Sequence, residues 1–132
     1  MTTLAHTWNG AAAESHRRSR LVTGVLWTLQ IASAAMFLMA GASKLAGVPA
    51  MVQMFAAIGV GQWFRYVTGA IEVAGAVLLL VPSAAAYGAL ALAATMVGAI
   101  LTHLFVVGGS PVVPLALLAS TATIAWARRS GR

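Results

Sequence analysis

Cysteine is absent from the chain, and acidic residues number only two, Glu14 and Glu72. Without cysteine there is no disulfide framework, no thiolate metal site and no cysteine-based redox relay, so any redox role must borrow its electron carrier. Charge of either sign is scarce: 8% of the 132 residues are charged and 61% are hydrophobic. A soluble domain of this length needs polar surface to stay dispersed, and so few charges would leave most of the surface apolar. Lipid is the solvent that resolves the conflict, and the length permits one domain.

What charge there is has a clear distribution. Six of the eight cations, Arg17, Arg18, Arg20, Arg128, Arg129 and Arg132, sit at the two ends. That placement suits anionic headgroups rather than nucleic acid. No stretch alternates polar with apolar residues over the length of a barrel strand, and the Ala, Leu and Met content favours helix. The sequence has no internal repeat, no metal motif and no small-residue cleavage site after its basic start.

Four apolar segments, about 21–45, 64–81, 84–107 and 111–127, each approach the ~20 residues needed to cross a bilayer. Gly47 to Pro49, Val81 to Ser83 and Gly108 to Pro111 punctuate them with turn chemistry, Pro111 suiting the first turn of a helix. The expected fold is all-α, an integral membrane four-helix bundle. Residues 1–20 are expected as a disordered basic tail and 128–132 as a second basic tail. Arginines before the first span and after the last place both termini in the cytoplasm, which requires an even number of spans. Trp27, Trp63 and Trp126 lie near proposed span ends, where indole rings favour the interface. The connection 47–63 is too long and apolar for a plain loop. It reads as a short helix at the outer interface or as an amphipathic connector across the end of the bundle.

Ionisable side chains inside spans are costly and each demands a partner or a water-filled cavity. Counting about 1.5 Å of rise per residue puts Lys44 about 34 Å up the first helix from Leu21, Glu72 about 12 Å inward from Phe64 on the second and His103 about 24 Å up the third from Tyr87. All three fall in the outer half. Glu72 therefore has two candidate counter-ions: Lys44, whose stem can bridge the difference in depth, and Arg65, seven positions earlier on the same face. His103 is placed to join them. Gly69 and Gly75 flank Glu72, and Gly98 and Ala99 precede His103, as small residues that permit close approach of helices.

One reading of the Lys44 and Glu72 pair is structural, a buried salt bridge that fixes helix order. The functional reading is an outward-facing polar pocket. Glu72 and His103 would act in it as acid and base, with Lys44, Gln53, Arg65 and Thr102 as lining, on a lipophilic substrate or a quinone. The ordinary role of Gln30, Ser33, Thr95 and Thr102 is hydrogen bonding to backbone or to a neighbouring helix, and the methionines read as core filling.

The stretches FLMAGASKL at 37–45, GAIEVAG at 69–75 and ATMVGAILTHL at 94–104 resemble, in that order and spacing, the DoxX-like family of small bacterial membrane proteins. The resemblance runs from about residue 21 to 126 and singles out Lys44, Glu72 and His103. It implies a four-helix membrane fold in the bacterial plasma membrane and an association with quinone-linked membrane oxidoreductases, as an accessory or assembly factor. The partners it implies are the bilayer and an oxidoreductase subunit or a second copy of the chain, with no nucleic acid. No intrinsic cofactor is expected, and a quinone is the carrier that would serve. The competing expectations are a small membrane enzyme using Glu72 and His103, and a structural partner without activity. Transport ranks last, because the spans are unbroken and lack repeat symmetry.

Overall fold

The computed structural model describes the backbone of residues 2–130 and the side chains of residues 8–130, so Met1 and Arg132, the outermost residues of the two expected tails, lie outside the described residues. It contains five α-helices and no strand among the described residues: α1 (Thr2–Ala46), α2 (Pro49–Ile58), α3 (Gln62–Leu79), α4 (Ala85–Thr102) and α5 (Val112–Ser130). A π-helical turn, His103–Val107, prolongs α4. The connection between the first two long helices thus holds the short helix α2. Gly59 ends it in the left-handed conformation at φ 81°, which suits glycine, and its N–H returns to the Phe55 carbonyl.

One expectation is corrected. Residues 2–20, read as a disordered tail, continue α1 without a break. Hydropathy reports where a segment is apolar and not where it is helical. Once the apolar part of α1 has formed, each further residue adds a hydrogen bond without a new nucleus. Ala11, Ala12, Ala13, Glu14 and the arginines are good helix formers, and they outweigh Asn9 and Gly10. Ser15 and Thr23 fold their hydroxyls back onto the carbonyls of Ala12 and Ser19. The resulting 45-residue helix is about 68 Å long, more than twice the thickness of a bilayer's hydrocarbon core.

The four long helices contact one another in sequence: α1 lies along α3, α3 on α4, α4 on α5, and α5 returns to α1, while α2 rests on α3 and the π turn. Phe37 from α1, Ala76 and Leu79 from α3, Ala89, Leu92 and Met96 from α4 and Ile124 from α5 form the core. Small residues set the spacing. A Cβ on Gly41 would lie 2.8 Å from Val73 Cγ2 and 2.9 Å from the Gly69 carbonyl oxygen, and one on Gly88 would lie 2.8 Å from the Gly75 carbonyl oxygen. α1 with α3 and α3 with α4 therefore approach backbone to backbone.

Outside this core the surface is apolar. Val25, Met39, Trp63, Tyr87, Leu90, Phe105 and Trp126 are each more than half exposed. Two helices, Trp8–Ala46 and Ala85–Val107, are long and apolar enough to cross a membrane, with mean hydropathies of 1.7 and 2.2, and little of either apolar stretch is buried. A helix that is apolar all round and still exposed fits lipid as its surroundings rather than the core of a soluble protein.

Candidate functional site

Helix α3 buries Arg65, Gly69, Glu72, Gly75, Ala76 and Leu79, a stripe at spacings of three and four. Its upper half faces the end of α1. Where Gly41 and Gly69 let the backbones meet, Lys44 comes to lie beside Gly69, within 3.0 Å of where its Cβ would be. From there the ammonium reaches Glu72, with Lys44 Nζ 2.9 Å from Glu72 Oε2. The Glu72 side chain is 2% exposed and that of Lys44 13%, and this is the one ion pair among the described residues. The two glycines thus position the pair.

Arg65, the other candidate counter-ion, does something else. Its Nε donates to Gln62 Oε1 at 2.7 Å, and a terminal guanidinium nitrogen donates to the Lys44 carbonyl. The guanidinium also lies 4.3 Å from the centre of the Tyr66 ring. Arg65 therefore caps the carbonyl end of α1, where orphan acceptors and the negative end of the helix dipole favour a cation. Gln62 extends the link by donating to the Val52 carbonyl of α2 at 3.0 Å. Lys44 is held twice, by its carbonyl through Arg65 and by its ammonium through Glu72. Sequence reasoning missed Gln62. Its position three residues before Arg65, on the same helical face, was the available signal.

The remaining expected members are elsewhere. His103 opens the π turn and its Nδ1 is 3.1 Å from the Gly108 carbonyl oxygen, with no hydrogen bond to Glu72. Thr102 donates to the Gly98 carbonyl one turn back. Gln53 is exposed on α2, and a Cβ on Gly98 would have no neighbour within 4 Å. The expectation that Gly98 and Ala99 bring His103 to the pair is thereby corrected. Counting rise gives the height of a residue but not the helix it faces. α4 closes on α3 near its own N-terminus, where Gly88 meets Leu78 and Gly75, while its π turn leans on α2.

A second polar cluster lies on the lower part of the same α1 stripe. Gln30, fully buried, donates from Nε2 to the Leu79 carbonyl at 2.6 Å and accepts at Oε1 from Arg128, whose Nε is 2.8 Å away. Arg128 also lies 5.2 Å from the Trp27 ring, and Ser33 bonds Ser120 at 2.6 Å. Gln30 thus satisfies the C-terminal carbonyl of α3 as Arg65 satisfies that of α1, and it joins α1, α3 and α5. The signal was present: Gln30, Ser33, Phe37, Gly41 and Lys44 recur at three- and four-residue spacing, placing two polar residues on a buried face.

Among the described residues no buried side-chain nitrogen or oxygen lacks a hydrogen-bond partner, and no group of three or more His, Asp or Glu is placed to hold a metal. Two surface depressions run along α1 from Ala13 to Ala32, and none of their lining belongs to the pair or to His103. Chemically, the arrangement holds helices together through charges that already satisfy each other.

A model of the DoxX-like family matches residues 28–127, from the second third of α1 almost to the end of α5, taking in Lys44, Glu72 and His103. No curated protein and no solved structure matches the chain.

Proposed function

The chain belongs to the DoxX-like family, and on that premise we propose that it is an accessory subunit of the bacterial plasma membrane, not itself a catalyst. In this reading α1, α3, α4 and α5 cross the bilayer as a four-helix bundle, α2 lies at the outer interface and both termini are cytoplasmic. The observation that carries the reading is the closed state of the polar site. Lys44 and Glu72 are spent on each other at 2.9 Å, and Arg65 is spent on a helix end. General acid or base catalysis requires a titratable group that meets the substrate, and Glu72, at 2% side-chain exposure, meets only Lys44. A charged pair of this kind fixes which helices are neighbours and in what register.

The link to quinone-linked redox chemistry is an analogy drawn from the family. The chain brings no cysteine and, among the described residues, no buried histidine, so electrons would travel through a quinone or a partner subunit. The lipid-like exposure of α4 and its π turn supplies an apolar face for such a partner.

A second reading, acid/base work on a lipophilic molecule, rests on His103. A carbonyl only accepts, so Nδ1 carries the hydrogen in its bond to Gly108, which leaves Nε2 as the ring nitrogen free to meet a substrate. The experiment that separates the two is native mass spectrometry with lipid extraction on protein purified gently from its own membranes, as wild type, Glu72→Gln and His103→Ala. A stoichiometric protein partner with no bound quinone supports the accessory reading. A quinone retained by the wild type and lost in His103→Ala overturns it in favour of the second.

A further inference from the structure

The N-terminal part of α1 carries two shallow depressions that share residues, both lined by α1 alone. The first, nearer the N-terminus, is lined by Ala13, His16, Arg17, Arg20 and Leu21. The second continues from Arg20 and Leu21 through Gly24, Val25, Thr28 and Leu29 to Ala32. The first is cationic. Beyond Arg20 the second is apolar, and Thr28 turns its hydroxyl back onto the Gly24 carbonyl. Gly24 has open space where a Cβ would stand, so no other part of the protein covers this face of α1 there. From Arg20 to Ala32 the helix rises about 18 Å, close to the ~15 Å of hydrocarbon in one leaflet.

We propose that this groove binds one anionic phospholipid lengthwise, its phosphate held by Arg17, Arg20 and His16 and an acyl chain lying along Gly24, Val25, Thr28 and Ala32. Arginine presents planar, paired donors to a phosphate, and a headgroup held there delivers its chain directly into the apolar continuation. Charge and shape select the same occupant: free phosphate has no use for the groove, and a zwitterionic lipid gains less from the cations. Arg18 supplies an internal control. It carries the same charge between Arg17 and Arg20 yet does not line either depression.

The test is lipid retention by the full chain in nanodiscs of phosphatidylglycerol and phosphatidylcholine, read by native mass spectrometry at low salt. The wild type should retain phosphatidylglycerol over phosphatidylcholine. Arg17→Gln with Arg20→Gln should reduce that preference by on the order of thirtyfold, at about 1 kcal/mol for each cation near an anionic surface. Arg18→Gln, whose side chain lines neither depression, should change it less than either of those substitutions alone. Gly24→Leu, which fills the groove at an exposed helical position and should leave the fold intact, should lower retention of both lipids while keeping the preference. An effect of Arg18→Gln equal to that of Arg17→Gln or Arg20→Gln alone would overturn the proposal in favour of diffuse surface charge. Unchanged retention in Gly24→Leu would overturn the groove.

Discussion

Glu72→Gln leaves the Lys44 ammonium beside a neutral amide in a nearly closed site. Removing one partner of a buried pair costs roughly 3–5 kcal/mol, while replacing both by apolar residues of similar volume is often close to neutral. The 13% exposure of Lys44 puts the expected loss near the lower end, because the stem can lift the ammonium outward. Thermal unfolding in detergent should therefore show a clear drop for Glu72→Gln and recovery of most of it in Lys44→Met with Glu72→Met. A pair that only positions helices behaves this way, whereas an active-site pair would lose its function in the double variant whatever its stability. Arg65→Gln should be milder than Glu72→Gln, since it frees neutral groups, the Lys44 carbonyl and the Gln62 amide, and no charge. Of these residues, the Lys44 and Glu72 pairing was legible in the sequence, because opposite charges in apolar helices, separated in depth by no more than a lysine stem can bridge, have few alternatives. The preference for Lys44 over Arg65 was not, since it depends on the end of α1 offering Arg65 a carbonyl.

Between elements, the spacing is decided by glycines that differ in what surrounds them. Gly41→Ala puts a methyl group 2.9 Å from the Gly69 carbonyl oxygen, and backbone cannot rotate away as a side chain can. α1 and α3 must then part by a few tenths of an ångström, which weakens packing and lengthens the reach from Lys44 to Glu72. Gly98→Ala adds a methyl group to open space and replaces a poor helix former by the best one. Measured side by side, Gly41→Ala should lower the midpoint of thermal unfolding by several degrees, and Gly98→Ala should leave it level or slightly higher. Sequence spacing marked both glycines as small residues in apolar helices and could not separate them, because close packing depends on which helix lies opposite. The same limit explains His103, whose ring bonds the Gly108 carbonyl while the π turn that carries it rests on α2. The apolar parts of the helices, by contrast, were readable from hydropathy and turn residues. The helical extension of α1 was not, since its polar composition is equally compatible with a solvated tail.

On the scale of the whole molecule, the Gln30 and Arg128 bond decides more than local stability. It joins the middle third of α1 to the last turn of α5, so the arginines at 17–20, towards the N-terminus of α1, and those at 128–129 belong to the same end of the protein. If the arginines mark the cytoplasmic side, the π turn, α2 and the loop at Ser110 face outward together with Lys44. The absence of native cysteine makes the arrangement directly measurable, since any thiol introduced is the sole label site. Ser110→Cys, exposed between the π turn and α5, should react with a membrane-impermeant maleimide on intact spheroplasts, and Ser130→Cys only after the membrane is opened. Labelling of both from the same side would require that α5 not cross, and the even count of crossings would fall with it. The outcome bears on the lipid groove as well. With Ser130 inside, Arg17 and Arg20 sit at the cytoplasmic leaflet, whose anionic lipids carry the charge that the groove is built to meet.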